Sequence, residues 1–110
     1  MKINFNQIEL SKIDNFKNGE KYIEANMYVD TDNRIMKGKL IKGASIGVHT
    51  HDVSSEIVFI ISGVATFICE GKTEIVKPGE AHYCKKGESH TLINKYDEDL
   101  IFYAVVPNHN

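Results

Sequence analysis

The sequence lacks the features that mark several classes of protein. Its 110 residues contain two cysteines, Cys69 and Cys84, which have no CxxC spacing and stand inside strand-like runs. Reduced and mostly buried thiols explain them better than a disulfide framework. No apolar stretch approaches the roughly 20 residues that cross a bilayer, and the first ten residues carry Asn, Gln and Glu instead of a signal-peptide core. We therefore expect a cytoplasmic protein with no membrane partner.

An excess of either charge is missing as well. Thirteen basic residues stand against fifteen acidic ones, for a net charge of −2. Because there is no run of like charge and no basic stripe, we expect no nucleic-acid partner. The composition, 42% hydrophobic and 25% charged, is that of an ordinary globular protein. A chain this short has room for one hydrophobic core, which predicts one domain and one functional site.

Short strand-like runs separated by turn residues fill most of the sequence. Turn signals such as Ser62-Gly63 and Pro78-Gly79 recur at short intervals. Residues 21–29 and 34–41 alternate between two faces, as half-buried strands do. Further runs are rich in Ile, Val, Phe and Tyr, which is β-composition: Glu56–Ile61, Val64–Cys69, Lys72–Val76 and Leu100–Val106. Strands without intervening helical periodicity predict an all-β sandwich or barrel.

The two ends of the chain are less regular. Lys2–Phe5 is compatible with an edge strand, and Ile8–Phe16 with a short helix or an irregular arm. We interpret residues 1–18 as an N-terminal arm or edge strand of the same domain and residues 19–110 as the barrel. His109 is expected to be disordered, because terminal residues commonly are.

A group of metal-ligand residue types occurs in the middle of the chain. Two of the five histidines, His49 and His51, are separated by one residue, and Glu56 follows five positions later. Residues i and i+2 of a strand project from one face, so both imidazoles can reach one point. A turn through residues 52–55 would return Glu56 beside them in an antiparallel hairpin. His90, which opens another strand-like run, is the natural candidate for a fourth ligand. The alternative is that His49 and His51 are surface residues of an exposed strand, as an isolated His-x-His would more often be.

The spacing around these residues resembles the two motifs of the cupin family. The sequence contains Gly43-x5-His49-x-His51-x4-Glu56-x6-Gly63 and Gly79-x5-Lys85-x-Gly87-x2-His90-x3-Asn94. The first motif matches at every defining position, and the second departs at Lys85, where the family commonly has proline. That departure concerns the stiffness of the loop before His90 and removes no ligand. The resemblance covers residues 43–94.

The resemblance implies a fold and a cofactor. The fold is a double-stranded β-helix, or jelly-roll, of six to eight strands, usually assembled as a homodimer. The cofactor is one divalent metal ion, Mn, Fe, Ni, Co or Zn, bound by His49, His51, Glu56 and His90. We expect the dimer interface at the Leu100–Val106 run and the N-terminal strand, because jelly-roll edges need covering.

Such a metal site suits a small polar, oxygenated ligand. Three neutral imidazoles and one carboxylate leave a divalent ion with a net charge of about +1, which attracts anionic or enolisable oxygen ligands. The first hypothesis is a metalloenzyme, an isomerase, lyase, decarboxylase or dioxygenase, acting on a small metabolite. The second is a non-catalytic module that binds or senses a small molecule. The ligand set is compatible with both.

Two further residues are candidates for roles beside the metal. His82 shares a strand face with Cys84, at positions that resemble inward-pointing and usually apolar sites in cupins. It is a candidate catalytic proton shuttle, and the alternative is a partly exposed histidine on a sheet rim. Arg34 is a candidate substrate-binding residue, because its guanidinium can pair with a carboxylate; the alternative is a solvent-exposed strand end. Tyr83, on the opposite parity, should pack outside the barrel.

Overall fold

The computed structural model describes residues 1–109, which form ten strands in two antiparallel sheets. The strands are β1 (Ser11–Asp14), β2 (Tyr22–Val29), β3 (Asn33–Leu40), β4 (Ser45–Thr50), β5 (Glu56–Ser62), β6 (Ala65–Cys69), β7 (Lys72–Val76), β8 (Ala81–Cys84), β9 (Ser89–Ile93) and β10 (Leu100–Pro107). One sheet has the order β1-β2-β3-β10-β5-β8 and the other β4-β9-β6-β7. Two short 3₁₀ turns lie at Phe5–Gln7 and Phe16–Asn18. The predicted all-β jelly-roll is confirmed.

Alternating burial along the strands explains how the two sheets share one core. In β3 the buried positions are Met36, Gly38 and Leu40, as the alternation predicts. They lie directly opposite the buried Ala104, Phe102 and Leu100 of β10. Gly38 has no side chain to obstruct the Phe102 ring, which occupies the space a Cβ atom would need. These inward side chains fill the space between the sheets, as residues on the inner faces of a sandwich do.

The N-terminal segment contains an edge strand, but at a different position from the one that the sequence suggested. The strand β1 lies at residues 11–14, where it pairs with β2 at the edge of the six-stranded sheet. Lys2–Phe5 is not a strand, and the helix interpretation of Ile8–Phe16 is wrong. Four residues are too few for alternation to be recognised in the sequence, and β1 has a single half-buried residue, Ile13.

The run that ends the chain is not a sheet edge, contrary to expectation. Strand β10 pairs with β3 on one side and with β5 on the other. Its backbone groups are therefore satisfied within the sheet, and the edge argument that placed a dimer interface there does not apply. The edges are β1 and β8 in one sheet and β4 and β7 in the other.

The expected disorder of His109 is also wrong. Its backbone N–H donates to the carbonyl oxygen of Val53 at 2.6 Å, and its Nε2 lies 2.8 Å from the Ser55 hydroxyl. An isolated bridge between Ser54 and Asn108 adds a further attachment. These contacts hold the tail against the loop that follows β4, which sequence position alone does not reveal.

Within residues 1–109, no helix is long and apolar enough to cross a membrane.

Candidate metal centre

The four predicted ligands come from both sheets. His49 on β4 and His90 on β9 are directly opposite one another in the register of the smaller sheet. His51 lies just beyond the end of β4, and Glu56 begins β5 in the larger sheet. The predicted hairpin is therefore wrong: residues 51–55 cross from one sheet to the other, and Glu56 faces the histidines across the barrel interior.

Four donor atoms from these residues converge on one point. The Nε2 atom of His90 lies 3.1 Å from Nε2 of His51 and 3.1 Å from Nε2 of His49. The Oε1 atom of Glu56 lies 2.8 Å from the His90 nitrogen, 3.3 Å from the His51 nitrogen and 3.8 Å from the His49 nitrogen. His51, Glu56 and His90 are buried, and His49 is partly buried. The structure thus brings together all four residues that the sequence grouped.

The other ring nitrogen of each histidine has its own partner. The Nδ1 atoms of His49, His51 and His90 lie 2.8 Å from the Gly47 carbonyl oxygen, 2.8 Å from the Ser54 hydroxyl and 3.0 Å from Nε2 of His82. Because a backbone carbonyl only accepts, Nδ1 of His49 must carry a proton. In the neutral ring, Nε2 then offers a bare lone pair to the cluster.

This donor set fits a metal ion. Three ring nitrogens and a carboxylate oxygen that face one another without protons repel, and a cation between them removes that repulsion. Ligands about 2.1 Å from one ion stand about 3.0 Å apart at right angles and about 3.4 Å apart at tetrahedral angles. Four of the five separations above, from 2.8 to 3.3 Å, are close to these values, and the His49–Glu56 separation of 3.8 Å is longer. The ligand atoms all lie within 4.8 Å of one another. The cluster can therefore hold a metal ion, and its donors suit several first-row metals.

The protonation states also suit metal binding. Burial raises the pKa of Glu56, but the adjacent imidazoles of His49, His51 and His90 outweigh it, and the pKa lies well below its usual value. Burial lowers the pKa of His90, against the opposing effect of Glu56. The carboxyl group is thus anionic and the His90 ring neutral near pH 7, the forms in which these side chains ligate metals.

A cavity of about 240 Å³ opens onto the cluster, with His49, His51 and Glu56 in its wall. Arg34 also lines it, in a half-buried position, so the structure places this candidate in the same cavity as three of the four predicted ligands. Lys17 and Asp30 complete the charged lining. They lie in the N-terminal segment and after β2, and no spacing motif connects them with the histidines, so sequence reasoning did not identify them.

His82 lies behind His90 instead of in the cavity. Its ring is 2% exposed and stacks on Phe67 with the centroids 3.9 Å apart, so the sheet-rim alternative is wrong. Its Nδ1 atom lies 2.7 Å from Oε1 of Glu74. The residues in the described chain that line the cavity do not include His82. Tyr83 points outward and is 54% exposed.

The two cysteines are free thiols next to His82. Cys84 is fully buried and Cys69 is partly buried. Ligand atoms of Cys69, Cys84 and His82 lie within 4.8 Å of one another. Burial is the main cause that raises the pKa of Cys84 to about 12. This thiol therefore stays protonated and unreactive at neutral pH.

Comparisons with known proteins agree with the fold. The family model described as a Cupin domain matches residues 37–106. A predicted oxalate decarboxylase from Thermotoga maritima is similar over 98% of this chain and 99% of its own, with 29% identity and a TM-score of 0.91. A conserved protein of unknown function from Streptococcus pyogenes shares 26% identity over 80% of this chain and 75% of its own, with a TM-score of 0.72.

More distantly similar structures share only the fold with this chain. The cupin domain of Cnp3 from Schizosaccharomyces pombe has 11% identity and a TM-score of 0.79 over 98% of this chain and 74% of its own. A search of curated proteins found no match.

Proposed function

Because this chain belongs to the cupin domain family, we propose that it is a metal-dependent enzyme that acts on a small metabolite bearing a carboxylate. The observation that carries the proposal is the convergence of three Nε2 atoms and one carboxylate oxygen, at a cavity that His49, His51, Glu56 and Arg34 line. Metal ligands and a guanidinium in one cavity provide two anchoring points for an anionic ligand.

The protein residues have distinct roles in this proposal. His49, His51, Glu56 and His90 would hold the ion, which supplies Lewis-acid polarisation of a ligated oxygen and, if it is redox-active, dioxygen activation. Arg34 pairs with a carboxylate and orients the ligand towards the cluster. The cavity of about 240 Å³ lies below the range typical of drug-sized ligands, which favours a molecule of few atoms.

Among the reactions open to such a site, we favour decarboxylation. This choice is supported by similarity to the Thermotoga maritima protein described as a predicted oxalate decarboxylase. The two chains are 29% identical over nearly the whole length of both. The cavity size and the cationic Arg34 agree with a short mono- or dicarboxylate as substrate. Isomerisation and dioxygenation use the same type of metal site, so both need to be measured alongside.

The test begins with the metal and ends with the reaction. Protein purified from its own host is analysed for Mn, Fe, Co, Ni and Zn, and metal-free protein is titrated with each ion. The loaded protein is then given oxalate, malonate and 2-oxo acids while carbon dioxide release and oxygen uptake are followed. We expect one ion per chain and carbon dioxide release that His90→Gln abolishes. Failure to take up any of the five ions would contradict the proposal.

A non-catalytic binding or sensor module is the second candidate. The lining of the cavity favours it. Among the described residues, the ionisable side chains that line the cavity outside the cluster are those of Lys17, Asp30 and Arg34. His82, the predicted proton shuttle, has no direct access to a ligand there. Saturable binding of a carboxylate to the metal-loaded protein without turnover of any compound in the panel would establish this candidate instead.

We further propose that the protein is a homodimer in the cytoplasm. Phe59, Ile61 and Tyr83 are 47%, 50% and 54% exposed on the outer face of β5 and β8, and contiguous apolar surface of this kind marks interaction sites. Two free thiols suit a reducing compartment. Light scattering should give twice the mass of 12.4 kDa, and Phe59→Glu should halve it. A monomer mass for the unchanged chain would contradict the dimer.

A further inference from the structure

A chain of hydrogen-bonding contacts links the metal cluster to the surface through two residues, His82 and Glu74, that are not among those lining the cavity. Glu74 Oε1 lies 2.7 Å from Nδ1 of His82, and Nε2 of His82 lies 3.0 Å from Nδ1 of His90. The side chain of Glu74 is 54% exposed, whereas that of His82 is 1% exposed. Nothing in the proposed function uses Glu74, although it stands two contacts from the ligand residue His90.

Metal ligation fixes the direction in which these contacts donate. When His90 ligates through Nε2, its neutral ring carries the proton on Nδ1, which donates to Nε2 of His82. His82 then carries its own proton on Nδ1, and that N–H donates to the carboxylate of Glu74. Every donor meets an acceptor in this arrangement, and the series ends on a negative charge.

We propose that Glu74 is a positioning residue of the metal centre, which acts through His82 to hold the ring of His90 in the orientation and tautomer that present Nε2 to the ion. This inference rests on the proposed metal site. Hydrogen bonds to the outer nitrogen of a ligating histidine fix its orientation and increase its basicity, and loss of such a partner weakens metal binding. Glu74 does the same for His82, one residue further out.

Two other interpretations of His82 fit the contacts less well. Ligation of a second ion with Cys69 and Cys84 would need a free ring nitrogen, but both nitrogens of His82 already have partners. An ordinary surface ion pair would contribute little. Here the partner of Glu74 is a buried ring stacked on Phe67, so the carboxylate acts on a group that water does not solvate.

Three variants and the unchanged protein test the proposal by zinc affinity. Each is freed of metal and titrated with Zn²⁺ against a chromophoric chelator. Glu74→Met removes the acceptor and the charge, and we expect about tenfold weaker binding, at the lower end of the effect of outer partners. Glu74→Gln keeps an acceptor oxygen and should lose less. Glu80→Gln removes the same charge from a turn where Glu80 accepts from the Lys77 N–H, and it should bind zinc as the unchanged protein does.

The outcomes separate this inference from the proposed function. If the unchanged protein takes up no zinc or other ion, the metal site itself is wrong. If it binds zinc and Glu74→Met binds equally well, the metal site stands and the role of Glu74 is overturned. Thermal unfolding of the metal-free variants checks the fold, which the change of a half-exposed side chain on an edge strand should leave intact.

A spectroscopic measurement gives an independent readout. Long-range ¹H–¹⁵N correlation spectra of the zinc-loaded protein distinguish the two tautomers of each histidine ring. We expect the Nδ1–H form for both His90 and His82. A proton on Nε2 of His82 would overturn the proposal, because that ring could not then accept from His90.

Discussion

Gly47 lies so close to the backbone of Lys17 that a Cβ atom on the glycine would overlap the Lys17 carbonyl oxygen. The same glycine accepts the Nδ1 hydrogen bond of His49 through its own carbonyl oxygen. Gly47 therefore joins two parts of the site, since the segment before β2 contributes Lys17 to the cavity lining and β4 contributes His49 to the metal cluster. Its lack of a side chain is what allows the two backbones to approach.

We predict that Gly47→Ala displaces the segment around Lys17 and lowers the free energy of unfolding by about 2 to 3 kcal/mol, as overpacking typically does. Metal affinity should fall with it, because the acceptor of His49 moves. Urea unfolding and zinc titration measure the two effects. Gly71→Ala is the control, because a Cβ atom at Gly71 would meet no atom within 4 Å. Its left-handed backbone should cause a smaller loss of stability, and its zinc affinity should be unchanged. Unchanged stability of Gly47→Ala would contradict the close packing.

Local patterns in the sequence predict an all-β fold and group His49, His51 and Glu56, whereas the jelly-roll was implied by the resemblance to the cupin family. Period-two alternation identifies strands such as β3, and the spacing of His49, His51 and Glu56 reflects a turn of fixed length between two strands. The way the ligands meet depends on pairing between distant segments. A short loop is equally compatible with a hairpin and with a crossing between sheets, and the structure shows the crossing.

Residues that act through distant neighbours are beyond a single sequence. Glu74 lies in β7, whose first four residues are exposed, so its pattern is that of a solvated strand. Its contact with His82 exists because β7 and β8 are the edges of different sheets that come together. Lys17 likewise enters the cavity through the packing of Gly47 on its backbone. Such relationships follow from sheet topology, which composition and periodicity do not specify.

We predict that the metal-free protein loses stability as the pH falls from 7 to 4. The folded-state pKa values of His90 and Glu56 are both lower than the usual 6.5 and 4.5, so the unfolded chain binds the protons more readily. The stabilisation is fully present above the unfolded-state pKa values. As the pH falls, the contribution of His90 is lost first and that of Glu56 is lost at lower pH. Thermal unfolding at intervals of half a pH unit in the presence of a chelator measures it.

Glu56→Gln is the matched variant for that series. It keeps the shape of the side chain and removes its titration, so the contribution of Glu56 to the acid dependence below about pH 4.5 should disappear. A melting temperature that rises on acidification of the unchanged protein would contradict the direction of both pKa shifts.

We predict that Cys84 resists alkylation in the folded protein. Burial raises its pKa to about 12, and the thiolate is the reactive form. At pH 8, iodoacetamide should label Cys69 before Cys84, since Cys69 is partly exposed, and both thiols only after unfolding in urea. Peptide mass spectrometry over time gives the order. Equal labelling rates of Cys84 in the folded and unfolded chain would show that the thiol is not buried as described.

The same raised pKa contributes a loss of stability at alkaline pH. An unfolded Cys84 ionises near its ordinary value, whereas the folded one keeps its proton to about pH 12. Stability is therefore fully present below the unfolded value and decreases as the pH rises above it. Cys84→Ala should flatten this decline between pH 8 and 10, which urea unfolding at constant ionic strength will measure.

We predict that replacement of Arg34 affects ligand binding and leaves metal binding unchanged. Arg34 lines the cavity but is not among the four ligands, so Arg34→Gln should leave zinc affinity unchanged. Its loss should weaken the binding of oxalate to the metal-loaded protein by roughly 10- to 100-fold, the value of a charge-assisted hydrogen bond. The oxalate affinity of Arg34→Lys should lie between those of Arg34→Gln and the unchanged protein, because an ammonium keeps the charge without the bidentate geometry.

The matched control is Lys37→Gln on the same strand, since Lys37 is outside this cavity and pairs with Tyr103 of β10. Isothermal titration calorimetry measures each affinity, and equal oxalate affinity of Arg34→Gln and the unchanged protein would remove Arg34 from the proposed binding site.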